Sequence, residues 1–353
     1  MWITRQSIHF PLAERVLAFL ALLLGASAIF TTSACAQGQP AKPLISGVAF
    51  VGMTVEDLDR SVQFYSRVLS FTKLREVELT GDSWEHLEGV FGLRIRLAWL
   101  QLGSEQIELQ EYLTPKGRPV PHSFSNDHWF QHIAIITGDM DRAYNWLRQN
   151  KVRHVSSSPQ LLPDYIKAAA GIRAFYFEDP DGHALELLQF PSDKGDPKWQ
   201  RTTSQLFLGV DHTAIVVGNT EASLKFYRDL LGFKVSGGSE NYGREQEHLN
   251  SVFGARLRIT SLRASEGPGI ELLEYLAPKN GRSLPEDEHA NDLMHHETGL
   301  VTEDIELAFR TLLQAHTTFI SSTVVLFPKA EVGFHSALLV RDPDGHPMEL
   351  VAK

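Results

Sequence analysis

Two glutamates follow a repeated turn motif at a spacing that suits metal chemistry. The motif DPDG occupies residues 179–182 and 342–345, and in both copies a glutamate comes four residues after the glycine, at Glu186 and Glu349. Apolar runs flank both copies, and proline and glycine suit the second and fourth positions of a type I turn between strands. A buried carboxylate is a candidate ligand for a divalent cation. The motif therefore predicts a duplicated hairpin and a candidate metal site.

The hairpin is one part of a longer internal repeat, which is sought first because it decides the fold. Residues 47–69 match 209–231, IELQEYLTPK at 107–116 matches IELLEYLAPK at 270–279, and 126–143 match 291–308. We therefore predict an N-terminal domain over 45–190, with units 45–115 and 126–190, and a C-terminal domain over 206–353, with units 206–279 and 291–353. The polar residues 191–205 form the predicted linker.

Each unit must position its acidic residues with the same elements. An apolar strand opens the unit, and a polar residue that suits a helix N-cap follows at a fixed spacing, at Asp57, Asp139, Asn219 and Asp304. An amphipathic helix and three alternating strands complete the unit. After the two DPDG turns, His183 and His346 are expected to face solvent.

Composition narrows the class of protein. With 353 residues, 43% hydrophobic and 22% charged, the chain has the length of two globular domains. A net charge of −10 argues against a nucleic-acid partner, because phosphate binding needs a basic face.

The first 36 residues differ in character from the rest. Arg5 and Arg15 precede an apolar run over 16–30, and Ala34-Cys35-Ala36 follows it. This pattern predicts a signal peptide over 1–36, a linker over 37–44 and an exported protein, periplasmic or secreted, without a stable membrane span. Cys35, the single cysteine, is alternatively a lipid-attachment residue. Removal of 1–36 leaves 31 basic and 42 acidic residues, a charge of −11.

The repeated strand–helix–three-strand units, the FY-x-x-x-L helix, the IELxEYL strand and the DPDG-x-x-x-E hairpin together resemble the vicinal oxygen chelate superfamily. This superfamily includes glyoxalase I, extradiol dioxygenases, methylmalonyl-CoA epimerase and bleomycin and fosfomycin resistance proteins. The resemblance implies an α+β fold in which four βαβββ units pair into two half-open mixed-sheet barrels. It also implies a small-molecule substrate and a monomer or homodimer, and it leaves open whether the two halves pair internally or across a dimer.

The resemblance further implies metal ligands on the first and last strands of each unit. The last-strand positions are all glutamates, which are costly to bury without a partner: Glu108, Glu186, Glu271 and Glu349. Outward-facing side chains are the alternative. The first-strand positions are His132, His212, Phe50, which cannot bind a metal, and either Glu297 or His296. The spacing to Asp304 favours Glu297, and a slip of one residue would turn His296 inward instead.

Grouping these residues by halves favours a metal site in the C-terminal half. That half offers His212, Glu271, Glu297 or His296, and Glu349, whereas Glu108, His132 and Glu186 form a degenerate second set. Imidazole and carboxylate ligands suit one divalent ion of iron, manganese, zinc or nickel, and the sequence does not choose among them.

The function implied is a metal-dependent lyase, isomerase or epimerase that works through an enolate-like intermediate, with Glu271 or Glu349 as the base. An extradiol ring-cleaving dioxygenase with His212, His296 and Glu349 as ligands is the first alternative. Such dioxygenases have a tyrosine ahead of the last hairpin. In this chain Leu339 stands at that position in the C-terminal half, and Tyr176 stands at the equivalent position in the N-terminal half. A non-catalytic small-molecule binding protein is the second alternative.

Overall fold

A computed structural model describes residues 42–327 and 332–353 of the chain. The predicted signal peptide, Cys35 and most of the predicted linker 37–44 lie outside the described residues.

The N-terminal half contains two units. The strands and helices of unit 1 are β1 (Gly47–Thr54), α1 (Leu58–Arg67), β2 (Thr72–Thr80), α2 (Asp82–Glu88), β3 (Arg94–Leu102) and β4 (Glu105–Thr114). Those of unit 2 are β5 (Gln131–Thr137), α3 (Met140–Gln149), β6 (Arg153–His154), β7 (Gln160–Leu161), β8 (Arg173–Glu178) and β9 (Ala184–Gln189). A short 3₁₀ helix at Pro197–Gln200 lies in the predicted linker.

The C-terminal half repeats this order. Unit 3 comprises β10 (Phe207–Val216), α4 (Thr220–Leu224), which continues as a π-helical turn at Lys225–Leu230, then β11 (Lys234–Tyr242), α5 (Arg244–Asn250), β12 (Arg256–Arg263) and β13 (Gly269–Ala277). Unit 4 comprises β14 (His296–Val301), α6 (Ile305–Gln314), β15 (Thr318–Phe319), β16 (Val325–Leu326), β17 (Ser336–Arg341) and β18 (Pro347–Ala352).

The predicted N-caps are confirmed in all four units. Each side chain accepts a hydrogen bond from the backbone N–H three residues later, which satisfies a donor that the first helical turn leaves free. The distances are 2.9 Å for Asp57, 3.0 Å for Asp139, 2.9 Å for Asn219 and 2.8 Å for Asp304.

The two sheets cross the sequence repeats. One sheet, here called barrel A, joins unit 1 to unit 4 through antiparallel pairing of β1 with β14. The other, barrel B, joins unit 2 to unit 3 through antiparallel pairing of β5 with β10. The predicted pairing of four units into two mixed-sheet barrels is confirmed, and each barrel takes one unit from each half of the chain.

Four of the helices, α1, α3, α4 and α6, in contrast pack within the halves. One core contains buried residues of α1 and α3, packed on the outer faces of neighbouring strands. A second core contains buried residues of α4 and α6, packed in the same way. Two further clusters line the inner faces of barrel A and barrel B. Each half therefore keeps a helix-side core of its own while sharing both sheets.

The repeated tyrosine of the helix motif binds the repeated hairpin. The buried Tyr65 hydroxyl of α1 donates to Asp179 Oδ2 at 3.2 Å, and Tyr227 donates to Asp342 Oδ2 at 2.9 Å. The same aspartates accept from their own turns and lie beside His183 and His346, which are buried. The expectation that these histidines face solvent is therefore wrong, because each is paired with the first aspartate of its DPDG turn. Burial alone lowers the pKa of His183, but the charge of Asp179 raises it to about 9.

No helix among residues 42–327 and 332–353 is long and apolar enough to cross a membrane.

Candidate metal centre

Barrel B brings four of the predicted ligands to one inner face. His132 lies on β5, Glu186 on β9, His212 on β10 and Glu271 on β13. The register places Glu186 and His212 both opposite Ala134, and it places His132 and Glu271 both opposite Ala214. Because side chains alternate along a strand, residues two positions apart share a face, and all four side chains converge.

The ligand atoms lie close enough to share one ion. His132 Nε2 is 3.2 Å from Glu186 Oε2, and His212 Nε2 is 3.4 Å from Glu271 Oε2 and 3.8 Å from Glu186 Oε2. Ligands about 2.1 Å from a tetrahedral metal are roughly 3.4 Å from one another. His132, Glu186 and His212 are all buried, with their candidate ligand atoms within 4.8 Å of one another.

The hydrogen bonding fits a metal better than it fits an empty polar cluster. His132 Nε2 and His212 Nε2 are buried and have no hydrogen-bond partner among the described residues. Buried polar atoms in native proteins are nearly always satisfied, so unpaired imidazole nitrogens that face carboxylates indicate a missing partner. Two imidazoles and the Glu186 carboxylate are a donor set for a divalent transition ion, and the Glu271 carboxylate lies beside them.

Asp211 holds the imidazole of His212 in place. Asp211 Oδ2 lies 3.0 Å from His212 Nδ1 and accepts a hydrogen bond from Arg263 at 2.7 Å. Asp211 Oδ1 accepts a hydrogen bond from Trp199 Nε1 at 2.8 Å. A carboxylate behind a histidine leaves the other ring nitrogen free to bind metal. Burial alone lowers the pKa of His212, but the carboxylates of Glu271 and Asp211 raise it to about 9.

A strand irregularity makes this contact possible. The pairing of β10 with β5 shifts between Val210 and His212, so Asp211 is an extra residue in the ladder. Consecutive residues of a regular strand face opposite sides, whereas a bulge re-aims one of them. Sequence reasoning missed Asp211, because neither the bulge nor the distant partners Trp199 and Arg263 leave a local pattern.

The cavity beside the ligands measures about 400 Å³. Tyr176 and Ser261 line it with the four candidate ligands, and the Ser261 hydroxyl donates to Glu271 Oε1 at 2.6 Å. Burial and the nearby Glu186 carboxylate raise the pKa of Tyr176 well above its usual value. The volume is in the range of small-molecule sites, about 300–1,000 Å³.

Barrel A holds the remaining candidates in a different arrangement. Glu297 on β14 stands where His132 stands in barrel B, Phe50 replaces His212, and Glu108 and Glu349 replace Glu271 and Glu186. Gln110 Nε2 donates to Glu108 Oε1 at 3.1 Å and also contacts Glu297 Oε1. An amide thus bridges two carboxylates there. Burial, with the charge of Glu297, raises the pKa of both Glu108 and Glu349 well above the usual value.

The predicted grouping of ligands by halves is therefore wrong. Glu297, His296 and Glu349 do not join His212 and Glu271, because unit 4 pairs with unit 1 rather than with unit 3. The converging set combines His132 and Glu186, assigned above to a degenerate site, with His212 and Glu271.

Glu297 and His296 face opposite sides of β14. Glu297 lies inside barrel A, whereas His296 packs its ring against His183, with ring centroids 5.0 Å apart. Burial and the nearby charge of His183 lower the pKa of His296 to about 3. His296 therefore belongs to neither cluster of carboxylates.

The fold and the site together define a protein of paired βαβββ units with a possible metal site, and comparison with known proteins identifies the family. The sequence model of the Glyoxalase/Bleomycin resistance protein/Dioxygenase superfamily matches residues 47–187 and again residues 209–350. The chain belongs to this superfamily, and it contains the family sequence twice. Members of this superfamily typically bind one divalent metal, and the His–Glu–His cluster of barrel B could hold one.

Similar proteins include enzymes of several kinds. A 2-epi-5-epi-valiolone epimerase from Actinomyces sp is 33% identical over 168 residues, which cover 45% of this chain and 87% of the epimerase. The metallothiol transferase FosB of Staphylococcus epidermidis is 27% identical over 145 residues, 40% of this chain and 81% of the transferase. Glyoxalase I from Zea mays superimposes with a TM-score of 0.57 and 17% identity, covering 87% of this chain and 92% of that one, a likeness of fold alone.

Proposed function

We propose that the protein is a divalent-metal-dependent lyase, isomerase or epimerase whose active site is the cavity of barrel B. The observation that carries the proposal is the convergence of His132, Glu186, His212 and Glu271 beside a cavity of about 400 Å³. This site draws on both halves of the chain, so it replaces the expected site in the C-terminal half alone.

The side chains of this site divide into metal ligands and a general base. A divalent ion bound there would supply a Lewis acid for a carbonyl oxygen. Glu271 is the favoured base, because it lines the cavity with a side chain that is 22% exposed, whereas that of Glu186 is 7% exposed. The Ser261 hydroxyl positions one Glu271 oxygen, which leaves the other to take a proton from the carbon next to that carbonyl. Glu349 has no such role, because it lies in barrel A.

The relatives support this class of reaction. The region of similarity to the epimerase of Actinomyces covers 87% of that protein, whose name states an epimerisation. Epimerisation next to a carbonyl needs a base within reach of one carbon and a stabilised oxyanion, and the residues of barrel B can provide both.

Metal analysis of the purified protein is the first test. We expect about one equivalent of a divalent ion, lost in His132→Ala and in His212→Ala because each removes an imidazole ligand. The matched controls are Glu349→Gln, inside barrel A, and His296→Ala, on the other side of β14. Both variants should keep the metal. Loss of metal in the controls, with retention in the ligand variants, would contradict the assignment.

The second test concerns proton transfer. The protein should exchange the proton next to the carbonyl of dihydroxyacetone with solvent deuterium, as followed by NMR. Glu271→Gln should keep the metal and lose exchange by about 100-fold or more, the usual contribution of a general base. Bound metal without exchange in the native protein would instead favour a non-catalytic binding role.

An extradiol dioxygenase is the second candidate, because Tyr176 lies in the cavity with its ring centroid 4.8 Å from that of His132. The ligand set His132, His212 and Glu186 also has the two-histidine, one-carboxylate composition that suits iron. Oxygen uptake with catechol by the iron-loaded protein would favour this candidate over proton transfer.

We also propose that the protein is exported, on the sequence of residues 1–36 alone. Cell fractionation tests this proposal, and mass spectrometry of the mature N-terminus distinguishes cleavage from lipid attachment at Cys35.

A further inference from the structure

The two barrels differ in whether their interiors are filled. In barrel A, Trp99 of β3 and Trp84 of α2 are buried, and Trp84 packs on Phe327 with ring centroids 4.4 Å apart. The guanidinium of Arg75 lies 3.8 Å from the centre of the Trp99 ring. Large side chains therefore occupy the space next to the carboxylates of barrel A.

Smaller and more polar residues stand at the same positions of barrel B. Strand pairing sets Arg75 opposite Trp99 in barrel A and Gly237 opposite Ser261 in barrel B. In the same way, Leu79 of β2 corresponds to Asn241 of β11, since each pairs with the equivalent residue of the next strand. Trp84 of α2 corresponds to Gln246 of α5, the third residue of each helix. The cavity of barrel B thus arises from specific replacements on one wall.

That wall presents one acceptor and one donor to the cavity. Gln246 is buried, its Nε2 contacts Asn250 Oδ1, and its Oε1 has no hydrogen-bond partner among the described residues. Asn250 in turn donates to the Tyr275 hydroxyl at 2.5 Å, which fixes the chain of amides. Asn241 Oδ1 accepts from Ser239 at 2.8 Å, and this leaves the Asn241 amide N–H groups for a ligand.

A hydroxyl group can donate to Gln246 Oε1 and accept from the Asn241 amide, because it is a donor and an acceptor at once. An ionised carboxylate cannot donate to Gln246 Oε1, and an alkyl group would leave that oxygen buried and unpaired, which is costly. Another part of the cavity lining is apolar and includes Leu162, Ala169 and Ile172. The cavity therefore matches a ligand with one hydroxylated edge and one face of C–H groups.

We propose that the substrate is a neutral, polyhydroxylated carbonyl compound with a distal hydroxyl that Gln246 and Asn241 recognise. The carbonyl and its neighbouring hydroxyl occupy the metal end of the cavity, a part of the inference that rests on the proposed function. Gln246 and Asn241 determine specificity and take no part in proton transfer.

Calorimetry with the metal-loaded protein tests the inference with three probes: 2-keto-myo-inositol, which carries distal hydroxyls, 2-hydroxycyclohexanone, which lacks them, and the anionic 2-ketogluconate. We expect the first to bind about 10-fold or more tighter than the second, as two hydrogen bonds to otherwise unpaired groups imply. Gln246→Leu and Asn241→Leu, the latter with the residue found at Leu79, should each lower this ratio about fivefold while metal content stays unchanged.

Gln246→Trp reproduces the filled interior of barrel A and should abolish binding of all probes without loss of metal. Equal binding of the first two probes, tighter binding of the anionic probe, or an unchanged ratio in both leucine variants would overturn the inference. Metal content separates this result from the proposed function: a native protein without metal contradicts the proposed function, whereas a metal-loaded protein that does not discriminate contradicts only the hydroxyl-binding wall.

Discussion

Glu88 of barrel A gives a stability prediction that can be worked out from its surroundings. The side chain is buried and accepts a hydrogen bond from the Tyr112 hydroxyl at 3.0 Å. Burial and the charge of Glu297 raise the pKa of Glu88 to about 8, against the opposing effects of His295 and Tyr112. The equivalent position in barrel B holds the neutral Asn250, which contacts the equivalent Tyr275.

The sign of the effect follows from proton binding. Between pH 4.5 and about 8 the folded protein keeps a proton on Glu88 that the unfolded chain releases, so the free energy of unfolding falls as the pH rises through this window. This pKa difference of 3.5 (8 − 4.5) corresponds to at most about 5 kcal/mol of unfolding free energy. Because neighbouring carboxyls share this effect, we expect Glu88→Gln to stabilise the protein by about 1–4 kcal/mol at pH 8.5.

Urea unfolding at pH 5 and pH 8.5 provides the assay. At pH 5 the substitution should be nearly neutral, since the carboxylic acid and the amide both accept from Tyr112. Glu85→Gln on the same helix is the matched control and should show no gain that depends on pH. A Glu88→Gln protein that is less stable than the native protein at pH 8.5, or equally changed at both values, would refute the reasoning.

Three further predictions concern single contacts. Asp211→Asn should weaken metal binding about 10- to 100-fold by loosening His212, as measured by competition with a chelator; unchanged affinity would count against the role of Asp211. Tyr65→Phe and Tyr227→Phe should each cost about 1 kcal/mol of unfolding free energy, because each loses a hydrogen bond to a DPDG aspartate; urea titration decides whether the two are alike. Gly52→Ala would place a Cβ 2.7 Å from Glu297 Cγ, so thermal unfolding should show destabilisation of about 1–3 kcal/mol with metal content unchanged.

The sequence predicts the four units, their order and their N-caps because these features are local. Asp57 and its three counterparts cap helices through neighbouring backbone groups, and the alternation of the strands does not depend on their partners. Unit 4 offered two residues for one inward position, and in the structure Glu297 takes it.

The partners of each unit could not be read from the sequence. Four similar units can pair in more than one way, and the contact that decides between them, β10 against β5, joins residues about 80 positions apart (212 − 132). The same limit hid Asp211, whose role needs a bulge, and it led to the expectation of solvent-facing His183, whose burial depends on Asp179 and on Leu293 of another unit.

The exchange of units between the barrels has a consequence for how the two sites could diverge. A dimer of identical half-chains, paired in the same manner, would contain two barrels related by symmetry, and every substitution would alter both. Covalent fusion removes that constraint. One barrel can then gain Trp99, Gln110 and Phe50 and become a packed support, while the other keeps His132 and His212. For the same reason, neither half of the gene encodes a complete site, and a truncated chain would leave the exposed edges of β5 or β10 to find a partner in another molecule.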